Sequence, residues 1–290
     1  MSHAWAVLLG LVQGLTEFLP ISSTAHLRLI PWVFGVDTTL PMLASAQFDI
    51  ALHAGSFVAI VAALWSDWTD LALRALGRVP KRASGAAAAE GGSWRDAAHA
   101  RRFLGFLLLT SIPAGIVGVL LDAPLERYST PSEFHFAPLL VGMCLALFGV
   151  LLWAVDRYVA RQAPMDSMTS GRAFAIGCAQ AVALIPGVSR SGSTMTAGRA
   201  LGLSRDAAAR YSFMAALPII GGAALWGLRH VPLSMLLSLD WILGFAAAAV
   251  SSFVCMRFML AYLRRHTFAV FMWYRIAAGA LFLALFFIRG

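Results

Sequence analysis

The chain is 290 residues long, 60% hydrophobic and only 12% charged, with a mean hydropathy of +0.77. A soluble domain is about half apolar and a quarter charged, so these values exclude an ordinary soluble protein and point to an integral membrane protein. The net charge of +8 rests on Arg, Lys81 being the single lysine. The Arg residues sit mostly between apolar segments, which reads as positive-inside bias and argues against nucleic acid as a partner.

In chain order, MSHAWAVLLG has neither a basic n-region nor a small-x-small cleavage site, so no signal peptide is expected. Residues 4–34 and 172–202 begin apolar, then break at Pro20 and Pro186 into Ser-rich stretches. Neither is a continuous helix of spanning length. Irregular backbone at membrane depth is tolerated only inside protein or beside a wet cavity, so both are expected to be re-entrant helix-loop-helix hairpins. Six segments of roughly 20 residues can cross the hydrocarbon core: 47–66, 102–121, 137–156, 210–228, 240–261 and 268–288. The expected fold is an all-α integral membrane protein with six transmembrane helices plus two re-entrant hairpins. Its single membrane domain divides at 1–136 and 137–290, with a linker over 67–101. The part RVPKRASGAAAAEGGSWRD is low in complexity and carries no chemistry.

The hairpins resemble each other. LGLVQGLTEFLPISS and IGCAQAVALIPGVSR share G-x-x-Q at Gly10/Gln13 and Gly177/Gln180, and the same offset sets Ser22 on Ser189. Each hairpin precedes three spans, so the second half runs upside down relative to the first: an inverted repeat, whose sites form where interrupted segments meet. Arg74, Arg78, Lys81, Arg82 and Arg95 mark one cytoplasmic loop. Arg157, Arg161 and Arg172 mark a second, Arg205 and Arg210 a third stretch, and Arg264 and Arg265 a last. Loops 122–136 and 229–239 are poorer in Arg. Both termini and the first hairpin then face outside.

The chemistry concentrates in the hairpins. In PGVSRSGST, residues 186–194, a Gly- and Ser-rich turn opens a new helix. Its N–H groups, Gly192 among them, the hydroxyls of Ser189, Ser191, Ser193 and Thr194, and the fork of Arg190 make an anion cradle. The bland reading is a Ser-rich cap with a snorkelling Arg. In the first hairpin Ser22 and His26 stand four apart, hence on one helical face, Ser23 is a candidate cap, and Glu17 precedes the break. A carboxylate, a hydroxyl and an imidazole can do general acid–base or nucleophilic work; a core His and a Glu paired structurally with Arg190 are the bland alternatives. Asp49 and His53, also four apart, either contact the site or, the preferred reading, hydrogen-bond each other across one helix turn. Arg199 either lines the pocket or reaches the interface. Cys144, Cys178 and Cys255 read as small core residues.

QGLTEFLPISSTAH, Gln13 to His26, and PGVSRSGST, Pro186 to Thr194, resemble the two signature motifs of the undecaprenyl-diphosphate phosphatase family, also called bacitracin-resistance proteins. The likeness extends to DIALHAGSFVAI and covers nearly the whole chain. It implies a bacterial inner-membrane enzyme that hydrolyses a polyisoprenoid lipid diphosphate to the monophosphate carrier used in cell-wall synthesis, with its site open to the periplasm. It also implies a divalent cation, Mg²⁺ or Ca²⁺, for which Glu17 and, less clearly, Gln13 are the candidate ligands. Gln13 stands at a position that the family's motif also fills with Glu. On this resemblance Glu17, Ser23, His26 and Arg190 are the catalytic candidates, while Ser22, Ser189, Ser191, Gly192, Ser193 and Thr194 bind phosphate. Whether Ser23, His26 or water is the nucleophile stays open. The rival reading is a lipid-phosphate or anion transporter using the same cradle, and a homodimer is compatible with either.

Overall fold

In the computed structural model of the protein, residues 1–78, 96–121 and 137–289 are described. Lys81, Arg82, Arg95 and the stretch 122–136 lie outside them. The described residues are helical, joined by one isolated bridge between Ala163 and Leu203. Helices α1 (Ser2–Phe18) and α2 (Ser23–Phe34) are followed by α3 (Ala46–Ala63), α4 (Trp65–Ala75), α5 (Ala97–Leu120) and α6 (Ala137–Tyr158). Then come α7 (Ser170–Val182), α8 (Arg190–Ala200), α9 (Arg205–Leu228), α10 (Leu239–Leu263) and α11 (Ala269–Arg289). Six of them (α3, α5, α6, α9, α10 and α11) are long and apolar enough to cross a membrane. They match the expected spans within a few residues, and the protein is a multi-pass membrane protein.

The expected linker 67–101 is shorter than the sequence suggests. Its first residues belong to α4, which docks by Asp67 on Arg210 of α9 at 3.1 Å, and α5 already begins at Ala97. The amphipathic pattern WSDWTDLALRA, with acids early and Arg74 late, suits a short helix. The described Arg residues of the basic stretches gather at one end of the bundle, and several are held there by ion pairs. Asp156 at the end of α6 takes Arg199 at 3.0 Å and Arg205 at 2.7 Å, and Asp206 lies 3.7 Å from Arg264. Arg199 is fully buried, bonded also to the carbonyls of Val159, Arg161 and Leu203. It therefore neither lines the cavity nor reaches the interface; it ties α8 to the end of α6.

Small residues let the first helix of each hairpin approach a span closely. A Cβ at Gly10 would lie 2.5 Å from the Gly244 carbonyl oxygen of α10, and one at Gly177 would lie 2.7 Å from the Thr110 carbonyl oxygen of α5. Such close crossings are how helices associate in lipid, where no hydrophobic force drives them together. Thus α1 packs along α10 and α3, and α7 along α5, while α6 pairs with α11.

Both hairpin turns end on a strained serine. Ser22 has φ 74° and Ser189 φ 76°, the two non-glycine residues with positive φ among the described residues. That backbone is uncommon without glycine and gathers at functional turns. In the first turn Leu19, just before Pro20, is extended, as the residue before a proline prefers, and α1 stops there. The second turn is longer, α7 ending at Val182 well before Pro186.

Candidate active site

The two turns meet on Glu17. From the second hairpin, the Arg190 guanidinium donates to one carboxylate oxygen at 2.8 Å. From the first, Ser23 Oγ donates to the other at 2.6 Å, and Gln13 Nε2 reaches the same oxygen at 3.3 Å. Glu17 and Ser23 are both buried. Ser23 is not the cap that the sequence suggested: the N-cap of α2 is Ser22, whose side chain makes no capping bond, and Ser23 is the first helical residue. The equivalent cap does form in the second hairpin, where Ser189 Oγ accepts from Gly192 N at 3.1 Å.

A cavity of about 170 Å³ opens over these groups. Its lining combines the polar Glu17, Ser22, Ser23, Thr24, His53, Ser189 and Arg190 with the apolar Ala183, Ile219, Ile220 and Ala223. Of the candidate phosphate-binding residues, Ser22 and Ser189 line it. The others stand behind: Ser191 Oγ donates to the Leu19 carbonyl at 3.0 Å, crossing from one turn to the other, and Ser193 and Thr194 donate to the Arg190 carbonyl at 3.1 and 2.8 Å. Gly192 is buried, and a Cβ there would lie 2.9 Å from Arg275.

The two histidines exchange the places that the sequence suggested. His26 Nδ1 lies 2.7 Å from the Ser22 carbonyl, and Nε2 lies 2.6 Å from the Tyr274 hydroxyl. A carbonyl only accepts, so Nδ1 carries a proton, and Nε2 pairs with the phenol hydroxyl. Both ring nitrogens of His26 are thus engaged. His53 instead lines the cavity with Nε2 3.9 Å from Glu17, its Nδ1 held 2.8 Å from the Asp49 backbone carbonyl. The Asp49 carboxylate turns away to Arg28 at 2.9 Å. The contact between residues 49 and 53 is therefore made by the backbone, and the ring is left for the cavity.

Sequence reasoning missed Arg275. This fully buried side chain of α11 donates to the carbonyls of Pro20 at 2.9 Å, Gly187 at 2.9 Å and Val188 at 3.0 Å, and to those of Leu145 and Cys144. It brackets both turns. Its signal was an Arg within an apolar span, which is costly unless it has work to do there. Arg275→Met would remove the guanidinium donor from the turn carbonyls of Pro20, Gly187 and Val188, each lost bond worth about 1–3 kcal/mol. The expected result is a large drop in Tm of the solubilised protein together with loss of activity. An unchanged Tm would show that the turns hold without the bracket.

A divalent cation finds few ligands here. Among the described residues no group of three His, Cys, Asp or Glu side chains could hold a metal ion. Glu17 is the one carboxylate of the cavity wall, and both its oxygens are engaged. The buried Gln13 Oε1, without a hydrogen-bond partner, adds a single amide oxygen. Mg²⁺ and Ca²⁺ need a full oxygen shell, which for Mg²⁺ waters and substrate phosphates help to fill, so these side chains by themselves do not make a closed metal cage.

The geometry is thus a buried carboxylate between a hydroxyl and a guanidinium, at a cavity lined by both polar and apolar residues. Similarity to known proteins gives it a family. The chain is 41% identical over 289 residues to the undecaprenyl-diphosphatase of Moorella thermoacetica, covering 100% of both chains. It is 40% identical to that of Pelotomaculum thermopropionicum, over 94% of this chain and 93% of the relative. With the protein of the same name from Desulforudis audaxviator it shares 39%, over 98% of each. The family described as bacitracin resistance protein BacA matches residues 6–281. Matched from hairpin to last span, the chain belongs to the bacitracin resistance protein BacA family.

Proposed function

We propose that the protein hydrolyses undecaprenyl diphosphate to undecaprenyl phosphate and phosphate, recycling a lipid carrier for cell-wall synthesis in the bacterial inner membrane. The observation that carries the reading is Glu17, with Ser23 Oγ on one oxygen and Arg190 on the other. Arg190 and Ser189 hold the terminal phosphoryl group, and Arg190 stabilises its charge as the bond to the leaving oxygen breaks. Glu17 takes the proton of the attacking oxygen. The 2.6 Å bond favours Ser23 as that nucleophile. Its oxygen bonds to the terminal phosphorus, the bridging P–O bond breaks, and the lipid monophosphate leaves. Water then cleaves the phosphoserine and restores the Ser23 proton. His53 is the imidazole with a nitrogen facing the cavity, and we assign it the proton exchange with that water. His26 holds Ser22 in its left-handed backbone. No step runs through Mg²⁺ or Ca²⁺, because the side chains do not make a cage for either.

We further read the architecture as an inverted repeat of two re-entrant hairpins. Three observations support it: the matching turns at Ser22 and Ser189, the shared G-x-x-Q, and the exchange of partners, by which α1 packs on α10 of the second half and α7 on α5 of the first. The site then faces the periplasm. His53 stands seven residues from the Ala46 end of α3 and ten from the Ala63 end, which leads to the basic face. At about 1.5 Å per residue, the cavity lies nearer the end opposite the Arg cluster, and that cluster is cytoplasmic by the positive-inside rule. Single cysteines at Ser170 and Ser234, both exposed, in a background without Cys144, Cys178 and Cys255, test this. An impermeant thiol reagent should label position 234 in intact cells and spare 170; the reverse would invert the topology.

The function is tested by phosphate release from undecaprenyl diphosphate by detergent-solubilised protein. Steady release is expected. A pure carrier would give none, and that reading draws no support from relatives that are named as phosphatases.

A further inference from the structure

The two strained serines are held by different means. In the second turn Ser189 is braced from within, its Oγ accepting from Gly192 N at 3.1 Å as the cap of α8. Ser22 stands at almost the same φ, 74° against 76°, but its side chain makes no capping bond to α2. A serine at positive φ carries strain that surrounding contacts must offset. For Ser22 the contact comes from His26, one helical turn on, whose Nδ1 donates to the Ser22 carbonyl at 2.7 Å. The ring's other nitrogen, Nε2, pairs with the Tyr274 hydroxyl of α11 at 2.6 Å, and the two rings stack at 5.7 Å. With Nε2 engaged by the phenol, Nδ1 is the nitrogen that serves the carbonyl. Tyr274 precedes Arg275, which donates to the Pro20 carbonyl at 2.9 Å. Two successive residues of α11 thus fix the first turn at both ends, Pro20 directly and Ser22 through an imidazole.

We propose that Tyr274 is a positioning residue for phosphoryl transfer: through His26 it holds Ser22 at positive φ and so keeps Ser23 Oγ on Glu17. This rests on the phosphatase reading above and adds what aims its nucleophile. Ser23 follows Ser22 immediately, so the direction of its Oγ toward Glu17, 2.6 Å away, depends on the backbone at Ser22. Tyr274 does not line the cavity, and it acts on the reaction through His26. Inside a membrane no water stands ready to replace its hydroxyl at Nε2. Without that hydroxyl the ring is free to turn or to change tautomer, and the Ser22 carbonyl loses its donor. A misplacement of about 1 Å at a reacting atom costs about 10²-fold. Arg190 and Ser189, which hold the phosphoryl group, belong to the other turn, so the loss falls on kcat and spares KM.

Tyr274→Phe removes the hydroxyl and keeps the stacked ring. Ala25 and Leu29 still pack α2 against Phe282 of α11, so folding should persist, as thermal unfolding would verify. Phosphate release from undecaprenyl diphosphate is expected to show kcat lowered at least about tenfold and KM within about threefold of wild type. The second arm removes the need for bracing. Glycine has no Cβ to oppose a positive φ, and asparagine tolerates one better than serine, so Ser22→Gly and Ser22→Asn should each retain measurable turnover. Adding Tyr274→Phe to either should then cost less than about threefold, because the two sites are coupled. Unchanged kcat in Tyr274→Phe, a loss carried by KM, or loss of folding, which would make Tyr274 a structural anchor, would overturn the proposal. So would an equal loss from Tyr274→Phe in all three backgrounds, or folded Ser22 variants without turnover, which would place the Ser22 hydroxyl itself in the reaction. A wild-type protein that releases no phosphate would instead refute the phosphatase reading itself.

Discussion

Arg190→Lys is expected to lower kcat by about 10²–10³-fold, the usual cost of removing one well-placed transition-state donor. The charge survives this change, so attraction for a diphosphate should survive with it, and KM should move much less than kcat. What Lys lacks is the planar fork. In the structure that fork spans two tasks: one nitrogen reaches Glu17 at 2.8 Å, and the other reaches the Ser212 carbonyl at 3.3 Å. An ammonium cannot keep both directions while facing a phosphoryl group. The variant must elute as folded protein. Turnover within a few-fold of wild type would remove Arg190 from the catalytic role assigned to it.

Glu17→Gln should cost about two orders of magnitude or more, the scale of a lost general base. The amide has the carboxylate's size but one acceptor oxygen instead of two. If that oxygen faces Arg190, the NH₂ group turns to Ser23 Oγ and donates where Glu17 accepted. If it faces Ser23, the NH₂ group opposes the guanidinium. The first arrangement reverses the 2.6 Å bond to Ser23 and the second loses the 2.8 Å bond to Arg190, and neither leaves a base for the Ser23 proton. Phosphate release measured at saturating substrate checks this, and near-normal rates would leave Glu17 a structural partner of Arg190.

The two helix breaks were legible because their polar residues interrupt apolar runs. Pairing Ser22 with Ser189 from G-x-x-Q spacing anticipated two turns with the same rare φ. That Glu17 and Arg190 would meet was anticipated too, first as the bland structural pairing. Which hydroxyl faces Glu17 was not legible. ISSTAH offers three in a row, and a shift of one residue in the helix start moves Ser23 from the cap to the carboxylate. The histidines misled for a related reason. Helical spacing put His26 beside Ser22, which is true, but the bond runs to the backbone carbonyl and uses up the ring. His53 belongs to another helix, and only packing of α3 beside α1 brings it to Glu17. Arg275 is the clearest limit: its five carbonyl partners come from three distant parts of the chain, and no local pattern announces them.

On the proposed reading, this site transfers the terminal phosphoryl group of a lipid diphosphate to Ser23 and then to water. The most direct measurement follows both products from purified wild-type protein and undecaprenyl diphosphate, phosphate by a colorimetric assay and the lipid by mass spectrometry. Equal amounts of phosphate and undecaprenyl phosphate are expected, at a rate that collapses in Arg190→Lys. Unchanged lipid diphosphate, or the free alcohol in place of the monophosphate, would contradict it.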